Sequence, residues 1–364
     1  MVKLNRKRVL FSVLNWGLGH ATRSIPLIKA LKKKNEVFIA STGRSLILLE
    51  QEFPEIKFFD LPDYKVRYTK NGFLLIPFLA LQVPFILFRI IKEIIQTEKL
   101  VKKYNIDLII SDNRYGVFSR FIPSFFITHQ LRFKLPKVLK KFEFLSEWYN
   151  RLFFKRYKRI FVIDSKEYQS LSGELSNKGK ITHHNKLVYL GILSSITSNN
   201  QSNPINAIDV LFSISGPEPQ RTYFEKTILN QINKIDGKKV VVLGKPDDTS
   251  SYKRLNDLEI YSHVSREKMS ELMNRAKLIV SRSGYSTVME IVALGKKALL
   301  VPTPGQTEQE YLADYYQYKG LFHIACQKNL DLKKEIYIAQ NFNVSNLSNV
   351  HINDTEKFLK FIGE

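Results

Sequence analysis

Leu278–Gln309 reads LIVSRSGYSTVMEIVALGKKALLVPTPGQTEQ, and the fold follows from it. Leu278–Val280 is a short apolar strand that runs into the polar turn Ser281-Arg282-Ser283-Gly284-Tyr285-Ser286. Val288, Ile291, Val292 and Leu294 then recur at helical spacing, with Gly295 as the stop. A second strand, Ala298–Val301, leads into the breaker-rich loop Pro302-Thr303-Pro304-Gly305. In an open α/β sheet such a turn lies at a strand's carboxyl end and a helix N-terminus, where ligands bind. Ser283, Gly284, Ser286 and Thr287 offer hydroxyls and backbone N–H groups suited to a phosphate, and Glu290, one turn on, can accept from a ribose diol. The same pattern also describes an ordinary crossover with a capped helix.

Outward from this unit, 364 residues suffice for two domains, and 44% hydrophobic content gives each a core. The single cysteine, Cys326, leaves no internal disulfide and no cysteine metal site, which suits a reducing cytoplasm. Val9–Leu14 is too short for the apolar core of a signal peptide. The net charge of +22 is concentrated: residues 1–180 carry 34 Lys and Arg against 15 Asp and Glu, while 181–364 carry 22 against 19. That asymmetry points the first half towards an anionic surface, or reflects a generally basic, solvated exterior.

Arg8–Leu14 reads as a buried strand ending in Asn15-Trp16-Gly17-Leu18-Gly19-His20, followed by a helix marked by Ile25, Leu27, Ile28 and Leu31. Gly17 and Gly19 let backbone approach a ligand, and His20 stands at the helix entrance, where it serves as a base or simply as a helix N-terminal residue. Strands at Val37–Ala40, Lys57–Asp60, Leu108–Ile110, Phe125–Thr128, Arg159–Ile163 and Leu187–Leu190 continue the alternation. Two of them end in polar residues, Asp112-Asn113-Arg114 and His129-Gln130, which implies a shared cleft at their carboxyl ends. Phe73–Phe88 is the most apolar segment but short for a span and contains Pro77 and Pro84, so a buried or membrane-surface helix pair is expected there. Arg132–Arg159 carries ten Lys and Arg, with Leu139, Phe142, Leu145, Tyr149 and Leu152 three and four apart. That predicts a basic amphipathic helix, lying on anionic lipid or packed against the core.

Ser194–Asn206 is rich in Ser and Asn and lacks periodicity, so the domain boundary falls there. The expected organisation is a first domain over 1–195, a linker over 196–206, a second domain over 207–350 and a terminal helix over 351–364. The second half restarts with a strand at Asp209–Ser213 and a turn at Ser215-Gly216 before a helix at Tyr223–Ile232. A strand at Lys239–Leu243 follows, and His263-Val264 precede a helix at Arg266–Arg275 capped by Ser265. Helices at Glu308–Tyr318 and Asp354–Ile362 complete the chain.

Two β/α halves, each with a glycine turn after its first strand, describe an α/β protein of two Rossmann-like domains facing across a cleft. At these residues the sequence resembles the GT-B glycosyltransferases, closest to the MurG-like branch with a family 28-type C-terminal domain that uses UDP-sugars. The family's R-S-G-x-x-T-x-x-E run matches Arg282-Ser283-Gly284-Tyr285-Ser286-Thr287-Val288-Met289-Glu290. The resemblance implies that Glu290 binds the ribose, Ser283-Gly284 the diphosphate, Gln309 the sugar hydroxyls and His263-Val264 the uracil. Ser215-Gly216 is similar to the family's glycine loop, although Pro217-Glu218-Pro219 departs from its glycine-rich form, and Glu310 and Ala313 replace a glutamine and an asparagine. Gly17-Leu18-Gly19-His20 resembles the family's G-G-H loop, and His129-Gln130 loosely its H-E-Q-N.

Inverting transfer needs a base for the acceptor hydroxyl and dipolar groups for the departing diphosphate. His20 suits the first role; helix N-termini and hydroxyls suit the second, and no D-x-D motif appears in the cleft loops. The expectation is a cytoplasmic glycosyltransferase, peripheral on the inner membrane face, with no metal and no cofactor beyond a UDP-sugar co-substrate. Its acceptor, on which the sequence is silent, would be lipid-linked and bound by Gly17, Gly19, Asp112, Asn113, Arg114, His129 and Gln130. No nucleic-acid partner is expected, because the basic segment keeps company with apolar rather than stacking residues. The alternatives are a sugar-nucleotide 2-epimerase using Asp112 and Glu218, and a non-enzymatic basic membrane-binding module.

Overall fold

The computed structural model describes residues 6–64, 75–166, 169–196, 198, 207–245, 251–344 and 350–363, without the side chains of 75–80, 137 and 138. The chain divides into two compact units, Met1–Leu193 with Val350–Glu364, and Ser194–Asn349.

The first unit begins β1 (Arg8–Val13), α1 (Gly19–Lys32), β2 (Glu36–Ser41), α2 (Gly43–Glu52), β3 (Lys57–Asp60), α3 (Leu75–Tyr104) and β4 (Leu108–Asp112). It continues with β5 (Ser124–Thr128), α4 (Glu143–Phe154), β6 (Arg159–Val162), the single turn α5 (Glu174–Asn177) and β7 (Leu187–Tyr189). Its strands lie in the order β3-β2-β1-β4-β5-β6-β7, every neighbouring pair parallel. β1, β4 and β5 are buried along nearly their whole length, because helices cover both faces of a parallel sheet. That is why these strands read as near-continuous apolar runs. The order reverses between β1 and β4, so the loops after these two strands diverge and leave a crevice at their carboxyl ends.

The second unit runs β8 (Ile208–Ser213), α6 (Gln220–Leu229), β9 (Lys239–Val242), β10 (Tyr252–Leu255), β11 (Leu258–Tyr261), α7 (Arg266–Arg275) and β12 (Ala276–Ser281). It ends with α8 (Tyr285–Ala293), β13 (Lys297–Leu300), α9 (Thr307–Tyr318), β14 (His323–Ile324) and α10 (Leu332–Asn341). The order is β10-β11-β9-β8-β12-β13-β14, parallel except for the β10–β11 hairpin. Here the reversal falls between β8 and β12. Val210, Phe212, Leu278, Val280 and Leu299 form the core under it.

The last helix, α11 (Thr355–Gly363), belongs to the first unit rather than standing apart. Phe358 stacks edge-on against Phe161 with ring centroids 5.0 Å apart, and Lys357 Nζ donates to the Tyr189 carbonyl. Gly191 has φ +74°, and any β-carbon on it would meet the His351 carbonyl, so the returning chain fits there only against glycine.

Two expectations change on the structure. The apolar segment from Phe73, whose first residues lie outside the described ones, does not form a helix pair; from Leu75 it belongs to one helix, α3, with Pro84 inside it. The expected basic helix over Arg132–Arg159 is helical as α4 only from Glu143 to Phe154. Its buried side carries Glu143 and Glu147, which pair with Arg132, so Leu145 and Leu152 of the expected apolar stripe are left exposed. The boundary region is an expectation that falls mostly on residues outside those described.

Candidate active site

In the first unit the site forms at the reversal between β1 and β4. Gly17, at φ +77°, turns the chain from β1 into α1, and His20, Arg23 and Ser24 then share one face of α1 at spacings of three and four. All three meet Asp112 at the carboxyl end of β4. Arg23 donates to both carboxylate oxygens, from Nε to Oδ2 at 2.9 Å and from Nη2 to Oδ1, and Ser24 Oγ donates to Oδ2 at 3.0 Å. His20 Nδ1 lies 3.0 Å from Oδ1. Arg23 also reaches His129 Nδ1 through Nη1 at 2.8 Å, and Gln130 Nε2 lies 3.2 Å from His129 Nε2.

The charges are balanced by burial. Asp112 is fully buried; burial works against its carboxylate, but Arg23 and then His20 outweigh that and hold its pKa well below the usual range. For His20, burial and then the Arg23 cation lower the pKa, against the pull of Asp112. His20 is therefore neutral at pH 7. With its proton on Nδ1 it donates to Asp112 and presents Nε2 as a bare lone pair. Arg23 Nη2 stands 2.7 Å from the same Nδ1, which makes the ring less basic than a histidine paired with an aspartate alone.

The other expected residues of this half divide. Asn113 follows Asp112 with φ +55°, and its Oδ1 is buried without a partner. Arg114 is spent on structure: its guanidinium donates to Glu93 in α3 and to the carbonyls of Val13 and Pro62. Gly19 is the first residue of α1.

In the second unit the two loops at the β8/β12 reversal meet. Arg282 is 1% exposed; its guanidinium donates to the carbonyls of Val301, Pro302 and Gln220 and lies 4.0 Å from the Phe224 ring centroid. It faces no carboxylate among the described residues, and burial draws its pKa down to about 9, which still leaves a cation at neutral pH. Arg282 thus clamps the loops after β8, β12 and β13 together. Three buried polar atoms around it have no partner: Arg282 Nε, Gln220 Oε1 and Thr303 Oγ1. Thr303 borders Gly216, where a β-carbon would lie 3.8 Å from its Oγ1. Gly216, in the loop that leads to α6, therefore borders one of these unsatisfied polar atoms.

Ser283 Oγ donates to the Gln309 carbonyl at 2.9 Å, and Gly284 is the N-cap of α8, which has no side-chain cap hydrogen bond. Thr287 is half-buried in the first turn of α8. Gln309 Oε1 accepts from Thr303 N and its Nε2 donates to Gln306, so the amide holds the β13–α9 loop against the first turn of α9. Glu290 accepts from Arg266 Nη2 through Oε1; burial raises its pKa, and Arg266 opposes the rise. His263 and Val264, half-buried, precede the α7 cap Ser265. The residues missed in the sequence are Arg23, Ser24, Gln220, Thr303 and Arg266. Arg23 and Ser24 had a legible signal in their spacing from His20.

Comparison with known proteins bears on the fold and on parts of the sequence. Residues 221–362 match the glycosyltransferase family 28 C-terminal domain, and residues 7–123 match the glycosyl transferase family 1 model. A UDP-N-acetylglucosamine–N-acetylmuramyl-(pentapeptide) pyrophosphoryl-undecaprenol N-acetylglucosamine transferase of Caldanaerobacter subterraneus is 36% identical over 76 residues, 20% of each chain. The enzyme of the same name from a Sulfurihydrogenibium species is 34% identical over 99 residues, 26% of this chain and 28% of that one. The chain thus aligns with only about a fifth to a quarter of these relatives' length. Among solved structures, Acinetobacter baumannii MurG superposes with TM-score 0.58 at 14% identity, over 98% of this chain and 99% of that chain. The UDP-GlcNAc 2-epimerase of Neisseria meningitidis does so with TM-score 0.58 at 16% identity, over 98% and 99%. The chain thus has the two-domain GT-B fold of these structures, and its residues 221–362 carry the match to the glycosyltransferase family 28 C-terminal domain.

Proposed function

We propose that the protein transfers a sugar from a UDP-sugar to a hydroxyl of a lipid-linked acceptor at a membrane surface, with inversion and without a metal. The donor belongs to the C-terminal unit. The observation that carries this is the set of unpartnered buried atoms, Arg282 Nε, Gln220 Oε1 and Thr303 Oγ1, between the Gly216 and Gly284 turns. A diphosphate set there meets the N-termini of α6 and α8, whose dipoles and N–H groups favour the charge that grows on the leaving group. Glu290 then accepts from the ribose diol, and His263-Val264 border the base. Relatives that match part of the chain are named for a UDP-N-acetylglucosamine donor and an undecaprenol-linked acceptor, which supports both substrate classes.

His20 supplies the base. Its Nε2 takes the acceptor proton as the oxygen attacks the anomeric carbon, and Asp112 stabilises the imidazolium that results. Epimerisation has weaker support. Asp112 is saturated by Arg23, Ser24 and His20, and Glu218 is bound by Arg221 and Thr222, so neither carboxylate is available to abstract a proton.

The acceptor reading rests on exposed apolar surface in the first unit. Leu81, Phe85, Phe88, Ile91 and Ile95 of α3, at helical spacing, are exposed, as are Phe144, Leu145, Trp148 and Leu152 of α4. Arg120, Lys155, Arg156, Lys158 and Lys186 line a cavity of about 480 Å³ beyond the end of α4. No described helix is long and apolar enough to cross a membrane, so attachment through such a surface needs both apolar area and cations.

Three outcomes are expected. In a thermal-shift panel of UDP-, GDP- and dTDP-sugars, a UDP-sugar should stabilise the fold, and Glu290→Ala should weaken its binding by about 2 kcal/mol, since the diol is left unpaired. Equal UDP-sugar affinity in the variant removes Glu290 from the site. His20→Ala should lower kcat by roughly 10²–10⁴-fold with donor affinity retained. Because burial and Arg23 lower the His20 pKa, the base is lost only as pH falls below its ordinary 6.5, so the acid limb of kcat/KM should lie under that value. An acid limb at or above 6.5 contradicts the assignment. Anionic vesicles should bind the protein with steep salt dependence, and replacing Lys155, Arg156, Lys158 and Arg159 by Gln should weaken it; equal partition of both proteins at low salt would favour a soluble acceptor.

A further inference from the structure

Glu290, which the donor reading gives to the ribose, already has one partner. Arg266, the first residue of α7, donates from Nη2 to Glu290 Oε1 and from Nε to Ser195 Oγ at 2.6 Å. Glu290 Oε2 meets no partner among the described residues. Ser195 is the second residue of the C-terminal unit, so one guanidinium ties the start of that unit to the carboxylate on α8.

We infer that Arg266 is a positioning residue of the donor site: it fixes the plane of the Glu290 carboxylate, leaves Oε2 for the ribose diol, and keeps the group ionised. This rests on the nucleotide-sugar reading above and deepens it.

The chemistry requires such a partner. A carboxylate accepts from both hydroxyls of a diol, whereas a neutral carboxyl turns one oxygen into a donor and loses that match. Glu290 is only 6% exposed, and burial favours the neutral form. The charged group that acts on it is Arg266 of α7; Ser195 is neutral, and on α8 the residues a turn away, Ser286, Thr287, Ala293 and Leu294, carry no charge. A guanidinium is suited to the task because it is a rigid fork. One N–H set on Ser195 and another on Glu290 define an orientation that the single nitrogen of a lysine cannot. Arg266 thereby supplies two separable things, a charge and an aim.

The separation can be measured. UDP-N-acetylglucosamine, whose diphosphate does not titrate between pH 5 and 8, is bound calorimetrically across that range to wild type, Arg266→Gln, Arg266→Lys and Ser195→Ala, each checked by melting. Binding needs the ionised carboxyl, so affinity is present above the Glu290 pKa and lost as pH falls through it. In Arg266→Gln the midpoint of that loss should rise by about one pH unit or more. Arg266→Lys should restore the wild-type midpoint yet bind several-fold more weakly at every pH. Ser195→Ala should weaken binding without moving the midpoint. A folded Arg266→Gln protein with the wild-type midpoint overturns the inference while the donor reading stands. Should Arg266→Gln not fold, an Arg266→Lys protein as tight as wild type at every pH overturns it equally. A wild type that binds no UDP-sugar overturns the donor reading and this inference with it.

Discussion

Both candidate sites depend on one topological constraint. A parallel sheet whose strand order reverses must send the two loops at the reversal to opposite faces, and this opens a crevice at their carboxyl ends. The chain meets that constraint twice, between β1 and β4 and between β8 and β12. At the first reversal, β1 delivers His20 through a glycine turn and β4 delivers Asp112. At the second, β8 delivers Ser215-Gly216 and β12 delivers Arg282-Ser283-Gly284. The sheets' buried apolar strands hold these loops in register, so chemistry at the loop tips inherits the rigidity of the cores.

The two sites handle charge in opposite ways. In the N-terminal unit the buried ions are mutually satisfied: Arg23 saturates Asp112, and the balance leaves His20 neutral with Asp112 ready to stabilise its cation. In the C-terminal unit Arg282 is held by carbonyls and an aromatic face, with no described carboxylate and with polar atoms around it unsatisfied. A buried cation without a counter-ion favours an incoming anion, whereas a saturated carboxylate disfavours one. In the proposed function this asymmetry assigns the donor diphosphate to the second unit and proton removal to the first.

Much of the fold was legible because parallel, doubly covered strands read as apolar runs. The exceptions have physical reasons. β10, Tyr252–Leu255, is an antiparallel edge strand exposed along its whole length, so no alternation marks it. α3 passes through Pro84, which in sequence reads as a break. α4 turns two glutamates inward, so its apolar stripe pointed to the wrong face. His20 and Asp112 were each visible, but their contact is created by strand order, which no local pattern contains. Arg114, at a strand end like a ligand residue, is consumed by Glu93 on α3, and Arg266 is distinguished from other helix-start arginines only by where Glu290 falls in space.

The most direct test of this division is hydrogen exchange with and without a saturating UDP-sugar. The account predicts slowed exchange in the loops Ile214–Gln220 and Arg282–Glu290 and no comparable slowing in Asn15–Arg23. Protection confined to Asn15–Arg23, with the C-terminal loops unchanged, would contradict it.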